Sequence, residues 1–270
     1  GGSNRTCGEN KSRSSLELPG RQLDLLQAVV ATGKPVVLVL INGRPISINW
    51  ADKYVPAILE AWYPGSQGGT AIADALFGDY NPGGKLTVTF PKTVGQIPFN
   101  FPTKPNAQVD GGRNKGLDGN MSRVNGPLYP FGYGLSYTDF RYSSLKMPTA
   151  CNTTDKEIPV TVTVKNTGKM DGEEVVQLYV SHLDKKILVP VTALKGFKRI
   201  HLKAGEAKQI TFSLSSEDLS CIDENGIRKV LPGTVKIQVG GCSPVATLTA
   251  PLKTVGTALK LTGDTYTIDK

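Results

Sequence analysis

The first third of the chain combines apolar runs with helical periodicity. Residues 23–32, LDLLQAVVAT, carry apolar side chains at helical spacing, and Gly33 then supplies a stop signal. The nearly continuous apolar run in KPVVLVLING is typical of a parallel strand covered on both faces. VPAILEAWYPG predicts a second buried strand, residues 70–77 predict a helix, and residues 85–91 predict an alternating strand. This order favours a doubly wound or sandwich-type α/β fold.

The pattern is lost between residues 96 and 137, where Pro, Gly, Asn and charged residues dominate. A loop of this length is uncommon unless it links domains or carries function. Its last part, YPFGYGLSY, is rich in aromatic residues and glycine. This segment is either a platform for stacking sugars or an anchor that docks the loop on both domains, and the anchor is favoured.

After this loop the chain becomes β-type. Alternating segments rich in Val, Thr and Ile are separated by turn signals: IPVTVTVKNTG, EEVVQLYVSH, LKGFKRIHL, KQITFSL and GTVKIQVGG. Strands at this spacing without intervening helices predict an antiparallel β-sandwich of the immunoglobulin or fibronectin type III kind. The predicted organisation is an α/β part at 1–95, a docking linker at 96–140, the β-sandwich at 141–250 and a weakly patterned tail at 251–270.

Composition narrows the class of partner. The net charge is +8, but Lys and Arg are scattered among acidic residues, so no nucleic-acid surface is indicated. The longest apolar run, residues 35–41, is far shorter than the roughly 20 residues of a membrane-spanning helix. The four cysteines and two histidines have no metal-site spacing.

Export is favoured by two features of the sequence. Asn-x-Ser/Thr sequons lie in polar stretches at Asn4, Asn10, Asn120 and Asn152. Cys221 and Cys242 form either a disulfide or a buried pair of thiols. The expected location is therefore secreted, extracellular or periplasmic, and the polar first residues indicate either a removed export signal or a start inside a longer polypeptide.

Few residues suggest chemistry by themselves. His182 and His201 lie at strand ends without a titratable partner at motif spacing, so both are interpreted as structural. The glycines around Gly65 do not have the spacing of a dinucleotide loop. Glu9 lies in a loop before the first helix, flanked by Gly8 and basic residues, which is a common location for a general acid as well as for a solvated charge.

Three stretches carry a resemblance to a known family. YPGSQGGTAIADALFGDYNPGGKLTVTFPKTVGQIP, PLYPFGYGLSYTDF and VPVTALKGFKRIHLKAGEAKQITFSL occur in the order found in the C-terminal half of family 3 glycoside hydrolases. The chain closely resembles the β-glucosidase and β-xylosidase branches over residues 9–241. The resemblance implies the later part of a mostly parallel α/β sandwich followed by a fibronectin type III-like domain with a mainly supporting role.

The resemblance also implies a site. Family members are retaining: an aspartate on an N-terminal TIM-type barrel attacks the anomeric carbon, and a glutamate of the sandwich domain protonates the leaving oxygen. ENKSRSSLELPGRQ fits the register of that glutamate, which makes Glu9 the candidate general acid/base. In many relatives an Asp-Arg pair stands where this chain has Ser12-Arg13. A glutamate upstream of residue 1 is the alternative acid, and Glu17 is expected to be a structural charge.

The function implied is the C-terminal portion of an exo-acting retaining β-glycosidase that removes terminal β-linked glucose or xylose. Its partners would be an oligosaccharide or glycoside substrate and the barrel of the same protein, and without the barrel the chain is expected to be inactive. No cofactor is implied, because glycosyl transfer to water needs only two carboxyl groups. The alternative is a catalytically incompetent carbohydrate-binding or structural module.

Overall fold

A computed structural model describes residues 8–102, 124, 126–184, 189–244 and 254–268. These residues divide into two compact units. Unit 1 comprises residues 8–80, 88–100, 124 and 126–129, and unit 2 comprises residues 81–87, 101–102, 130–184, 189–244 and 254–268. None of the helices in these ranges has the length and apolar character that crossing a membrane requires.

Unit 1 alternates helices and strands, as the hydrophobic pattern predicts. Its elements are α1 (Gln22–Val30), β1 (Val37–Leu40), α2 (Asn49–Tyr54), β2 (Ala57–Glu60), α3 (Gly68–Phe77) and a 3-10 turn (Val94–Gln96). Both predicted helices are confirmed. The second ends at Gly78, whose left-handed backbone (φ 88°) closes the helix without the steric cost that a side chain would meet.

The two strands of unit 1 pair in parallel, with Val37 opposite Ala57 and Leu40 opposite Glu60. The parallel pairing confirms the α/β interpretation. Burial increases toward the carboxyl end of β1, where Leu40 is 1% exposed, whereas Val37 at the other end is 50% exposed. The two carboxyl ends lie at the same edge of the sheet, and the loops that follow them meet there.

In this region one local prediction is wrong and one short helix has no counterpart in the sequence predictions. Residues 85–91 are not one strand, because the chain bends at residues 87–88 and each side pairs separately. Leu86 bonds through its backbone to Tyr133 and Gly132, while Phe90 forms an isolated bridge with Tyr129. The helix α2 was not predicted, because it has six residues and Ile48 at its N-cap position offers no side-chain cap.

Unit 2 is built mainly from strands. Its elements are β3 (Phe140–Lys146), β4 (Ala150–Asn152), β5 (Glu157–Asn166), β6 (Gly172–His182), β7 (Ala193–Leu202), β8 (Ala207–Ser215), α4 (Ser216–Leu219), β9 (Cys221–Ile222), β10 (Arg228–Val230), β11 (Gly233–Gly240), β12 (Thr254–Thr262) and β13 (Tyr266–Thr267). The five β-type segments of the sequence correspond to β5, β6, β7, β8 and β11.

The strands of unit 2 form a five-stranded sheet, a three-stranded sheet and a small accessory sheet. The five-stranded sheet has the order β4-β12-β11-β6-β7, and the three-stranded sheet has the order β3-β5-β8. All pairs within these two sheets are antiparallel except β12 with β4. The predicted all-β sandwich is confirmed.

The core of unit 2 follows from strict alternation along its strands. In β5, every second side chain from Ile158 to Val164 is at most 2% exposed, and β6 and β11 supply further aliphatic residues. Such apolar burial contributes about 25 cal/mol per Å² removed from water, and it is the main force that stabilises the sandwich.

The predicted tail contains a strand of this sheet. Residues 254–262 form β12, which lies between β4 and β11, and Leu259 and Leu261 are at most 2% exposed. Gly256, Thr257 and Ala258, directly before these leucines, weaken the apolar alternation of the segment. That composition is why the sequence pattern of this segment indicates a tail.

Unit 2 also encloses an ion pair. Lys85 Nζ lies 3.1 Å from Glu174 Oε2, with the two side chains 11% and 4% exposed. The hydroxyl of Tyr142 donates to Glu174 Oε1 at 2.7 Å, and Lys85 Nζ also donates to the carbonyl of Gly134 at 2.8 Å. Burial, reinforced by Glu174, raises the pKa of Tyr142, so the phenol remains a donor.

The aromatic and glycine-rich segment 130–137 is anchored to unit 2. Phe131 stacks on Phe101 with ring centroids 4.2 Å apart, and Phe101 meets the ring of Tyr179 edge-on at 6.0 Å. The amide of Gln177 donates to the carbonyl of Gly132 at 3.1 Å. These contacts support the anchor interpretation for this unit, while most of the preceding loop, residues 103–123, lies outside the described residues.

The cysteines of unit 2 are thiols. Cys151, Cys221 and Cys242 are buried and are not joined in a disulfide. Burial raises the pKa of Cys221, whose thiol donates to the carbonyl of Lys229 at 3.5 Å. Of the two alternatives for Cys221 and Cys242, the structure has the thiols.

Candidate active-site loop

Glu9 lies in a tight turn ahead of α1. The backbone N–H of Lys11 donates to the carbonyl of Gly8 at 3.2 Å, which closes a four-residue turn around Glu9. Both neighbours of Glu9 have positive φ, 129° at Gly8 and 58° at Asn10. Glycine and asparagine are the residues that adopt this region most readily, so the local sequence suits the turn. The side chain of Glu9 is exposed at the tip.

The turn is connected to the loop that follows β1. Arg44 Nη2 donates to the carbonyl of Lys11 at 2.8 Å across 33 positions of sequence. Further along, the N–H of Ser47 donates to the carbonyl of Leu16 at 2.9 Å, and the Leu16 side chain is 6% exposed. Residues 11–16 therefore run along the segment 44–47 beyond the carboxyl end of β1.

Arg44 itself is held by a network of polar groups in which Asn42 is buried and Glu60 is half-buried. The side-chain carbonyl of Asn42, a residue that is 1% exposed, accepts from the N–H of Arg44 at 3.2 Å. Its amide group donates to Glu60 Oε2 at 3.2 Å. The other oxygen of Glu60 accepts from the N–H of Trp62 at 3.0 Å. The network joins the ends of β1 and β2 and leads through Arg44 to the turn of Glu9.

Glu60 is the titratable member of this network with a perturbed environment. Burial raises its pKa above the ordinary value, and the hydrogen bonds from Trp62 and Asn42 oppose that shift. Because both donors are neutral, the carboxylate is satisfied without a salt bridge among these contacts.

The residues that follow β2 have unusual backbone geometry. Trp62 has φ 51°, a left-handed conformation that is rare for a bulky side chain. Tyr63 lies so close to Gly43 that a Cβ at position 43 would come within 2.7 Å of its ring. Strained positions of this kind are concentrated at functional sites, and ligands of α/β sheets bind beyond the carboxyl ends of the strands. This edge is therefore the favoured place in unit 1 for a substrate-facing surface.

The other acidic and basic groups of the loop are arranged locally. Arg13 donates to the backbone carbonyl of Glu17 at 2.7 Å, and the Glu17 side chain is exposed. An exposed carboxyl held in a turn, such as that of Glu9, is of the chemical type that serves as a general acid or base. Arg44, Asn42 and Glu60 were not singled out from the sequence, although polar residues directly after a buried strand are a signal for this edge.

A small cavity lies at the end of β6. It has a volume of about 20 Å³ and is lined by residues including His182, Asp184 and Cys221. That volume accommodates about one water molecule and is too small for a sugar. Burial, with Lys195 nearby, lowers the pKa of His182, which favours its neutral form. Within the described ranges, no group of three or more His, Cys, Asp or Glu side chains could hold a metal ion.

Comparison with known proteins defines the class. Residues 1–137 match the glycosyl hydrolase family 3 C-terminal domain, and residues 174–243 match a fibronectin type III-like domain. The chain belongs to glycosyl hydrolase family 3.

Individual relatives agree with this assignment. The chain is 44% identical over 96% of its length to a β-xylosidase of Formosa agariphila, and 42% identical over 86% of its length to a periplasmic β-glucosidase of Salmonella typhimurium. The structure of a Listeria innocua β-glucosidase in complex with glucose superimposes with a TM-score of 0.87 at 34% identity, covering 97% of this chain. The chain spans about a third of these relatives, 35%, 31% and 35% of their respective lengths.

Proposed function

We propose that this chain is the C-terminal portion of an exo-acting, retaining β-glycosidase that removes terminal, non-reducing β-linked glucose or xylose. Similarity to both a β-xylosidase and a β-glucosidase supports the two sugars. The nucleophile is an aspartate on an N-terminal TIM-type barrel of the same protein, and Glu9 is the general acid/base. The periplasmic relative supports a periplasmic or secreted location.

The chemistry proceeds in two steps. First, the aspartate attacks the anomeric carbon, the glycosidic bond breaks, and the Glu9 carboxyl donates its proton to the departing oxygen. Second, the Glu9 carboxylate takes a proton from water while that water attacks the anomeric carbon and releases the aspartate. Retention requires the two carboxyl groups to lie about 5–5.5 Å apart, so the turn of Glu9 must reach the barrel's substrate site.

The observation that carries this proposal is the placement of Glu9 in a chain of this family. Its side chain is exposed, its turn is fixed by residues with positive φ on both sides, and the turn is tethered to the carboxyl edge of the sheet. Glu17 is also exposed, but it lies where the loop enters α1 and its carbonyl is engaged by Arg13.

The test is Glu9→Ala in the full-length protein, with Glu17→Ala as the matched control. We expect the rate on a disaccharide with a poor leaving group to fall at least about a hundredfold, because departure then lacks a proton donor. An activated aryl glycoside should be less affected in the first step, and azide should restore turnover with a glycosyl azide as product. Glu17→Ala should behave as wild type on both substrates.

Wild-type rates for Glu9→Ala on both substrates would place the acid elsewhere, for example upstream of residue 1. A separate expectation concerns the isolated chain, which should not hydrolyse an aryl β-glucoside or β-xyloside because it lacks the nucleophile. Turnover by the isolated chain would contradict the proposed division of the catalytic pair.

A further inference from the structure

We propose that Arg44 is a positioning residue for the general acid/base step, because its guanidinium fixes the backbone of the turn that carries Glu9. The inference rests on the proposed function of Glu9. It adds a residue that acts through the turn and does not itself touch the glycoside.

The contact reaches the turn close to the candidate acid. Arg44 Nη2 donates to the carbonyl of Lys11 at 2.8 Å, and Lys11 is the closing residue of the turn, two positions after Glu9. A hydrogen bond from a charged donor is roughly twice as strong as a neutral one. The bond therefore restrains the backbone on the C-terminal side of Glu9.

The backbone of Arg44 is itself fixed. Its backbone N–H is held by the side chain of Asn42, and Asn42 is bound to Glu60 at the end of the neighbouring strand. The following residues, Ile46, Ser47 and Ile48, are at most 5% exposed. Arg44 thus projects from a rigid segment, which is the condition under which one side chain can hold a loop in place.

The other contacts of the loop are placed differently. Arg13 bonds to Glu17, four residues away within the loop itself. Leu16 is paired with Ser47, but Leu16 lies seven positions beyond Glu9. The Arg44 bond, in contrast, joins the turn of Glu9 directly to the edge of the sheet.

The expected consequence follows from the geometry of retention. A displacement of about 1 Å in a catalytic group can reduce the rate a hundredfold. Loss of the tether should therefore slow reactions that need protonation of the leaving group, and should have less effect on an activated aryl glycoside. A general loss of structure would instead reduce the rates on both kinds of substrate.

The experiment compares Arg44→Met, Arg44→Lys and the control Arg21→Met in the full-length protein. Arg21 is a suitable control because its side chain is 92% exposed and pairs only locally with Asp24. We expect Arg44→Met to reduce kcat on the disaccharide roughly tenfold to a hundredfold, with the thermal midpoint and the KM little changed. Hydrogen exchange of the peptide covering residues 9–17 should increase. Arg44→Lys should recover part of both effects, because it keeps a charged donor.

Three outcomes would overturn the inference: Arg44→Met behaving as Arg21→Met, equal losses on both substrates, or unchanged exchange at residues 9–17. The proposed function of Glu9 is tested independently of the role of Arg44. If Glu9→Ala retains wild-type rates while Arg44→Met still increases exchange in the turn, the tether stands but Glu9 is not the acid. Suppose instead that Glu9→Ala slows disaccharide hydrolysis and azide restores turnover, while Arg44→Met leaves the disaccharide rate unchanged. Only the positioning role of Arg44 is then refuted.

Discussion

Unit 1 and unit 2 each hold a glutamate in a hydrogen-bond network, and the two carboxylates are satisfied in different ways. Glu174 in unit 2 is paired with the ammonium of Lys85 and the hydroxyl of Tyr142, and its surroundings are closed by the sandwich. Glu60 in unit 1 is half-buried and accepts from the neutral groups of Asn42 and Trp62. The first network ends inside the protein, whereas the second continues through Arg44 to an exposed turn.

The Glu174 network stabilises the interior of unit 2, whereas the Glu60 network leads to the turn for which we propose a catalytic role. A buried charge paired with an opposite charge is costly to disturb, because removing one partner leaves the other charge uncompensated. In unit 1 the donors to Glu60 are neutral, and the network continues from Asn42 through the guanidinium of Arg44 to the carbonyl of Lys11 in an exposed turn.

Removing one partner of the charged pair should destabilise unit 2 strongly. We expect Lys85→Met to lower the free energy of unfolding by about 3–5 kcal/mol, because Glu174 is left as an uncompensated buried charge. Urea unfolding followed by far-UV circular dichroism would report on the β-rich unit. Both tryptophans of the chain, Trp50 and Trp62, lie in unit 1, so their fluorescence reports on the other unit.

Lys236→Met is the matched control for this change. Lys236 is exposed on β11 of the same unit, and its replacement should alter stability by less than about 0.5 kcal/mol. Equal effects of the two lysine variants would show that the ion pair is not structurally important. The Glu174 network would then not differ from the Glu60 network in its contribution to stability.

Removing the neutral partner of Glu174 should have an intermediate effect. Tyr142→Phe deletes the hydroxyl that donates to the carboxylate and keeps the ring in the core. A hydrogen bond to a charged group contributes about 1.5–3 kcal/mol, so we expect a loss in that range. A double-mutant cycle with Glu174→Gln measures the coupling, and additive effects of the two changes would contradict the assigned contact.

The smallest effect is expected from Glu60, and it should depend on pH. Because the folded state raises the pKa of Glu60, this carboxyl binds its proton more tightly when folded. Its contribution to stability should therefore fall as the pH rises from the ordinary carboxyl value of 4.5 through the raised folded value. Glu60→Gln should remove that slope. Parallel curves for wild type and Glu60→Gln between pH 4 and pH 7 would exclude the effect.

Periodicity and composition were sufficient to predict the two fold classes. The helices α1 and α3 and the long strands of unit 2 each contain a repeating apolar pattern that tertiary contacts reinforce. The short helix α2 and the strand β12 were missed, because α2 has no capping residue and Gly256, Thr257 and Ala258 dilute the pattern of β12.

The polar networks were beyond the reach of sequence reasoning. Lys85 and Glu174 are 89 positions apart, and each alone resembles an ordinary surface charge. The partner of Arg44 is a backbone carbonyl, which no residue type reveals. Glu9 could be selected only because a family resemblance singled it out, since loop glutamates are usually solvated.

The position of β12 has a consequence for synthesis on the ribosome. This strand is inserted between β4 and β11, yet its residues follow nearly all the others in the chain. Until residues 254–262 emerge, β11 has an unpaired edge, and the places of Leu259 and Leu261 in the core are vacant. Exposed edges of this kind promote pairing between chains. The nascent sandwich is therefore expected to be prone to aggregation until β12 is released and pairs with β11.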